Sequence, residues 1–197
     1  MSGEEWFDKK SRWMEDILGK EHDVVMSSSR PYSSGGSLDL HYYPNGIPGT
    51  AIATKQLARE TGPSPSNDKY KKYEWVMFTR EKLNMEHAND QFTSFGQIHQ
   101  FIASTLNRVA RYNESTTLQP NQTCAIPMDD DDDLLYLLLT TYGAKSDEQE
   151  DFGLMIVMEI FPTEIAFATE HGKEALLKLL QEKEVYPYAD LDRDPVV

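Results

Sequence analysis

Two apolar runs decide how this chain folds: Leu134-Leu135-Tyr136-Leu137-Leu138-Leu139-Thr140-Thr141 and Gly153-Leu154-Met155-Ile156-Val157-Met158-Glu159-Ile160-Phe161. Continuous apolar runs of this length suit strands buried on both faces of a sheet, although the pattern alone also admits a helix for either. Strands of that kind need helices over the sheet. Lys145 to Asp151, which joins the two runs, is acidic and suits a hairpin connection.

Working outward, Lys72 to Thr79 reads as another strong strand, with Tyr73, Trp75 and Met77 alternating against Val76 and Phe78. Three weaker strands precede it. His22 to Ser27 carries Val24-Val25, Ser37 to Tyr43 alternates with the period of a half-buried strand, and Thr50 to Leu57 follows the turn Pro44-Asn45-Gly46. Arg59 to Asp68, rich in Pro and Gly, is an exposed loop. Ile98, Phe101, Ile102, Leu106 and Val109 form one stripe of a helix that ends near Asn113, with Ser94 and Gln97 at capping-box spacing. A first helix is expected from the Ser2–Glu5 capping box to Gly19, with Trp6, Trp13 and Ile17 on its apolar face. Thr117 to Pro127 is polar, with one short strand near Thr123 to Ile126. Thr163 to Glu170 and Lys173 to Lys183 read as helices, the second burying Ala175, Leu176, Leu179 and Leu180. Residues 186–197 are expected to form an extended tail.

The 197 residues hold 19 basic and 33 acidic side chains, a balance of −14. That balance argues against direct contact with nucleic acid or an anionic membrane, both of which require clustered Lys and Arg. It favours a basic protein partner. No apolar run approaches the ~20 residues of a membrane-spanning helix. The acidic start, with no apolar stretch after it, does not read as a secretory signal, so a cytoplasmic location is expected. The single cysteine, Cys124, excludes a disulfide framework, a cysteine zinc site or an iron–sulfur cluster held by this chain alone.

The chemistry-bearing residues are sparse. Asp129 to Asp133 suggests a cation loop, but Leu134 stands where a calcium loop needs its turning Gly, and Thr140 stands where it needs a bidentate Glu. The run therefore reads as a solvated or partner-facing acidic loop. Cys124 lacks a local base and reads as a structural thiol. None of the five histidines pairs at i, i+4, and His99 and His171 read as surface or capping residues. Glu159 interrupts an apolar strand and must sit at an edge, pair with a cation, or have a perturbed pKa. Phosphate loops, nucleophile elbows and dinucleotide fingerprints are absent from the sequence. No cofactor or metal is implied.

The C-terminal half carries a family resemblance. Asp151-Phe152-Gly153 with its apolar strand, Pro162-Thr163-Glu164-Ile165, and Glu170-His171-Gly172-Lys173-Glu174-Ala175-Leu176-Leu177 together resemble the suppressor-of-fused domain family. Asp192-Arg193-Asp194-Pro195-Val196 is similar to that family's closing segment, with Asp194 inserted. The helix ending Val109-Ala110-Arg111-Tyr112 is similar to the family's own helix ending. Thr54 falls in the region of a family strand end, but Lys55-Gln56-Leu57 departs from its pattern. The resemblance implies a binding domain and not an enzyme, with no catalytic residues to carry over. In animals the family's named member sequesters a zinc-finger transcription factor, partly by adding a peptide strand to its own sheet. Single-domain bacterial relatives resemble immunity proteins that neutralise a cognate toxin, often a nuclease.

The expectation is therefore one α/β (α+β) domain over residues 1–197, with a mixed, largely antiparallel sheet covered by helices. Its expected function is stoichiometric binding of a basic toxin. The expected contact residues are Asp129, Asp130, Asp131, Asp132 and Asp133, together with Asp147, Glu148, Glu150 and Asp151. Two rival readings are a regulator that takes a peptide on an open strand edge and a carboxylate hydrolase using Glu159.

Overall fold

A computed structural model describes residues 3–128 and 133–197. In chain order the elements are α1 (Gly3–Leu18), β1 (Val25–Met26), β2 (Leu40–Tyr43), β3 (Thr50–Ala53), β4 (Lys72–Thr79), α2 (Ser94–Asn113), β5 (Gln122–Pro127), β6 (Leu134–Ser146), β7 (Asp151–Glu159), α3 (Pro162–His171), α4 (Lys173–Glu182) and β8 (Tyr188–Ala189). The strands form one sheet in the order β1-β2-β3-β4-β7-β6-β5, and β8 also pairs with β4. All pairs are antiparallel except β4 with β7 and β4 with β8.

The apolar run of β7 lies between β4 and β6 and is buried on both faces, as its composition dictates. One face packs on α2, where Ile98, Ile102, Leu106 and Val109 meet Tyr42, Ile52, Trp75, Met77, Leu137 and Val157. The opposite face takes α1, where Trp6, Met14 and Leu18 meet Tyr43, Val76, Phe78, Phe152 and Ile156. Farther along that face, Leu176 and Leu180 of α4 and Ala168 of α3 cover Leu138, Met158 and Ile160. Full burial of each large side chain contributes about 1.5–3 kcal/mol.

Several sequence expectations change in the fold. Leu40–Tyr43 is buried on both faces, because α1 covers Tyr43 while α2 covers Leu40 and Tyr42. The buried stripe of α1 is Trp6, Lys10, Met14 and Leu18, so Trp13 and Ile17 flank the core. The cap of α2 is Thr93, whose Oγ1 accepts the Gly96 N–H at 3.1 Å, in place of Ser94. Ser2 of the expected first capping box lies outside the described residues. In α4 only Leu176 and Leu180 are fully buried, while Ala175 and Leu179 are half-buried. β6 runs on to Ser146 through a bulge at Tyr142, and there Gly143 admits α1. A Cβ on Gly143 would stand 2.6 Å from the Ile17 side chain. The tail is extended, but it also contributes β8 to the sheet.

Candidate partner-binding surface

The two acidic clusters flank β6 in the sequence. β6 has 13 residues, and at ~3.3 Å per residue its ends are about 40 Å apart. Asp133 and Asp147, which border β6, therefore stand far apart. At its start, β6 follows Asp133, an exposed residue whose carbonyl accepts the Met128 N–H at 2.9 Å. Asp129, Asp130, Asp131 and Asp132 lie outside the described residues.

At the far end, Asp147 organises the β6–β7 turn. Its Oδ1 accepts the N–H groups of Gln149 (2.9 Å) and Glu150 (3.0 Å), and its other oxygen pairs with Lys9 of α1. The Lys9 ammonium and those two amides hold its carboxyl at about 2. Glu150 pairs with Lys72 of β4 at 3.1 Å. Lys72 also lies 3.6 Å from Glu60 and 4.3 Å from the centre of the Trp6 ring. Asp151 is half-buried at the start of β7, and Glu148 is exposed. The second cluster thus fastens a hairpin to α1 and β4.

β5 is one edge of the sheet, and among the described residues no strand pairs with its outer side. Its last carbonyl, Pro127 O, accepts a hydrogen bond from Arg108 Nη1 at 3.1 Å. Cys124, at mid-strand, packs against the core under α2, and burial raises its thiol to about 11. That makes it a poor nucleophile and agrees with a structural role.

Glu159 ends β7, and burial raises its carboxyl. The second carboxylate that the hydrolase reading requires is Glu164. Burial opposes its charge, but Arg193 grips both its oxygens at 2.7 Å, and the N–H groups of Phe161 (2.8 Å) and Val196 (3.0 Å) add to that grip, so its carboxyl lies below the usual range. Arg193 Nη2 also donates to Glu159 O at 3.0 Å. The two acids have divergent pKa values, yet Glu164 is sealed from water and both its oxygens are taken by Arg193 and two backbone N–H groups. The arrangement clamps the tail onto α3.

Sequence reasoning missed three buried polar centres. Lys10 Nζ donates to Lys55 O (2.8 Å), Ala58 O (2.7 Å) and Glu74 Oε1 (2.8 Å), and both charged residues are sealed from water. Glu74 also accepts from Thr54 Oγ1 and the N–H groups of Leu57 and Ala58, so residues 54–58 fold around it. Burial works against the charge on Glu21, but His41 at 2.7 Å and Lys55 at 2.5 Å bring its carboxyl down to about 2. His99 is 1% exposed, with Nδ1 donating to Ala88 O and Nε2 accepting from the Tyr42 hydroxyl. It is neither a cap nor a surface residue, and burial lowers its pKa. The one signal available beforehand was Lys10, a charge in register with Trp6 and Met14 on the apolar face of α1.

Among the described residues no helix is long and apolar enough to cross a membrane, and no group of three or more His, Cys, Asp or Glu is placed to hold a metal ion. No family model and no curated protein matches the sequence. Solved structures do. A chain of the Sufu–Fu complex crystal structure superposes with a TM-score of 0.61 at 16% identity, over 98% of this chain and 91% of that one. Drosophila Suppressor of Fused superposes with a TM-score of 0.62 at 14% identity, over 98% of this chain and 51% of that one. The chain therefore has a suppressor-of-fused-like fold.

Proposed function

We propose that this chain is a non-catalytic protein-binding domain that holds its partner stoichiometrically, and that the partner is a basic toxin for which it serves as the cytoplasmic immunity protein. The observation that carries the reading is the placement of β5, an open sheet edge that leads directly into the acidic sequence Asp129 to Asp133. An open edge offers backbone groups to an extended segment, and an adjacent acidic run attracts a basic one. The net charge of −14 extends that attraction over distance. A chain of the same fold occurs in a complex between Sufu and Fu, which supports binding of a protein.

The open edge equally favours a second reading, an endogenous regulator that takes a peptide of its target as an additional strand. Affinity capture of the tagged full chain from its native cells separates the two. A basic protein recovered in near-equal amount, whose toxic activity is titrated one to one, supports the immunity reading. A transcription factor or other regulatory protein supports the second. Turnover of a substrate by catalytic amounts of the chain overturns both.

A further inference from the structure

Of the seven asparagines in the chain, Asn45 alone is followed by glycine. Asn45 and Gly46 are both exposed, in the connection between β2 and β3. Neither the Asn45 carboxamide nor the Gly46 N–H has a hydrogen-bond partner among the described residues. Four other asparagines are engaged. Asn67 Nδ2 donates to Leu118 O (3.2 Å), Asn107 Oδ1 accepts the Leu38 N–H (2.7 Å), Asn113 Oδ1 accepts the Tyr73 hydroxyl (2.8 Å) and Asn121 Oδ1 accepts the Thr140 hydroxyl (3.1 Å). Asn84 and Asn89 precede Met85 and Asp90, whose side chains crowd the amide that follows, and the Asp90 N–H already donates to His87 O at 2.9 Å. Asn45 therefore combines a free carboxamide, a free neighbouring N–H and no side chain on that neighbour.

The same connection seats the end of α1. A Cβ on Gly46 would stand 1.8 Å from Leu18 O, and a Cβ on Gly19, which follows α1 at φ +85°, would stand 2.8 Å from Gly46 N. Glycine at both positions lets the helix end and the connection touch backbone to backbone. Leu18 and Ile47 carry the contact inward to the core around Tyr43. The last turn of α1 holds no basic side chain, so its carbonyls present partial negative charge at this contact.

We propose that Asn45 is a site of spontaneous covalent modification, where the chain's own backbone converts it to aspartate and isoaspartate and thereby loosens the seat of α1. The Gly46 nitrogen attacks Cγ of Asn45. The bond from Cγ to the side-chain nitrogen breaks, and that nitrogen leaves as ammonia with the proton given up by Gly46. Water then opens either carbonyl of the resulting five-membered imide. Opening at Cγ gives aspartate. Opening at the backbone carbonyl gives isoaspartate, whose main chain runs through Cβ and Cγ. No electron is transferred, and solvent water is the one co-reactant. Both products put a carboxylate near the carbonyl end of α1, which the helix dipole disfavours. Isoaspartate also adds one atom to a main chain packed against Gly19 and Leu18. The chemistry is independent of any partner.

The test ages the full chain in mildly alkaline buffer and follows each asparagine by peptide mass spectrometry, with a protein isoaspartyl methyltransferase as the probe for isoaspartate. Asn45 is expected to gain one mass unit ahead of every other asparagine, with ammonia released in equal amount and methyl label taken up at residue 45. The converted chain is expected to melt a few degrees below the fresh one. Asn45→Gln, at an exposed position, is expected to keep the original melting temperature and to abolish the label. Asn45→Asp supplies the carboxylate without the longer main chain, and is expected to melt between the fresh and the converted chains. Conversion of another asparagine before Asn45 overturns the proposal. So does an Asn45 that stays intact in the folded chain while it converts in the free peptide of residues 43–49. Full conversion with an unchanged melting curve overturns the loosening of α1.

Discussion

The two acidic runs that flank β6 in the sequence have nearly the same composition and join different parts of the sheet. The β6–β7 turn sits under α1 and beside β4, and its acids are matched to Lys9 and Lys72. The other run, Asp129 to Asp133, follows β5 in the sequence, and among the described residues β5 is the last strand of the sheet. A carboxylate beside a fixed lysine contributes to stability, whereas one at a free edge contributes charge to the outside. Acidic sequence alone does not distinguish the two, since the deciding lysines are far away along the chain.

Four experiments break or sharpen that contrast. The largest effect sets the scale for a carboxylate sealed from water. Lys10→Met leaves Glu74 buried and unpaired, and should cost about 3–5 kcal/mol in denaturant unfolding. A loss below 1 kcal/mol would show that sealed and wet ion pairs are not different in kind here. Next, replacing Asp129 to Asp133 by Ser should slow association with the captured partner at least tenfold at low salt, about 1.4 kcal/mol, with little change in melting temperature. Replacing Asp147, Glu148, Glu150 and Asp151 by Ser should change the on-rate less than about twofold while lowering the melting temperature. Equal slowing by both sets would erase the contrast.

Third, Lys72→Met removes the partner of Glu150 and the cation over Trp6, and should cost about 1–2 kcal/mol. An unchanged melting curve would mean that the turn is not fastened through Lys72. The smallest effect is in pH. The Asp147 carboxyl is depressed in the fold from 3.8 to about 2. Its contribution is therefore present above about pH 4 and is lost as pH falls toward 2. A carbon-detected NMR titration should give a midpoint near 2, and Lys9→Met should raise it. A midpoint near 4 in the unaltered chain would dissolve the Lys9 pairing.

The fold was legible where one residue pattern answers one environment. The runs now seen as β6 and β7 are adjacent, Lys72–Thr79 is a strand over its whole expected length, and α2 spans Ser94–Asn113. It was less legible where pairing makes the element. β1 and β8 have two residues each and exist because β2 and β4 hold them. The half-buried reading of Ser37–Tyr43 failed because a strand's second face depends on what crosses it, here α1. The candidate surface was legible as charge but not as placement. Nothing local in Asp147 or Glu150 announces Lys9 or Lys72, and nothing local in His99 announces the Tyr42 hydroxyl.

The pairing of β4 has a consequence for synthesis. β3 takes one side of this strand, while β7 and then β8 share the other, so its neighbours come from residues 50–53, 152–156 and 188–189. Translation delivers those segments in that order, at roughly 5–20 residues per second. Until the stretch around Ala189 has left the ribosome, the middle of the sheet lacks a neighbour and its apolar surface is open to chaperones. The complete sheet therefore forms late, after residues 188–189 have emerged.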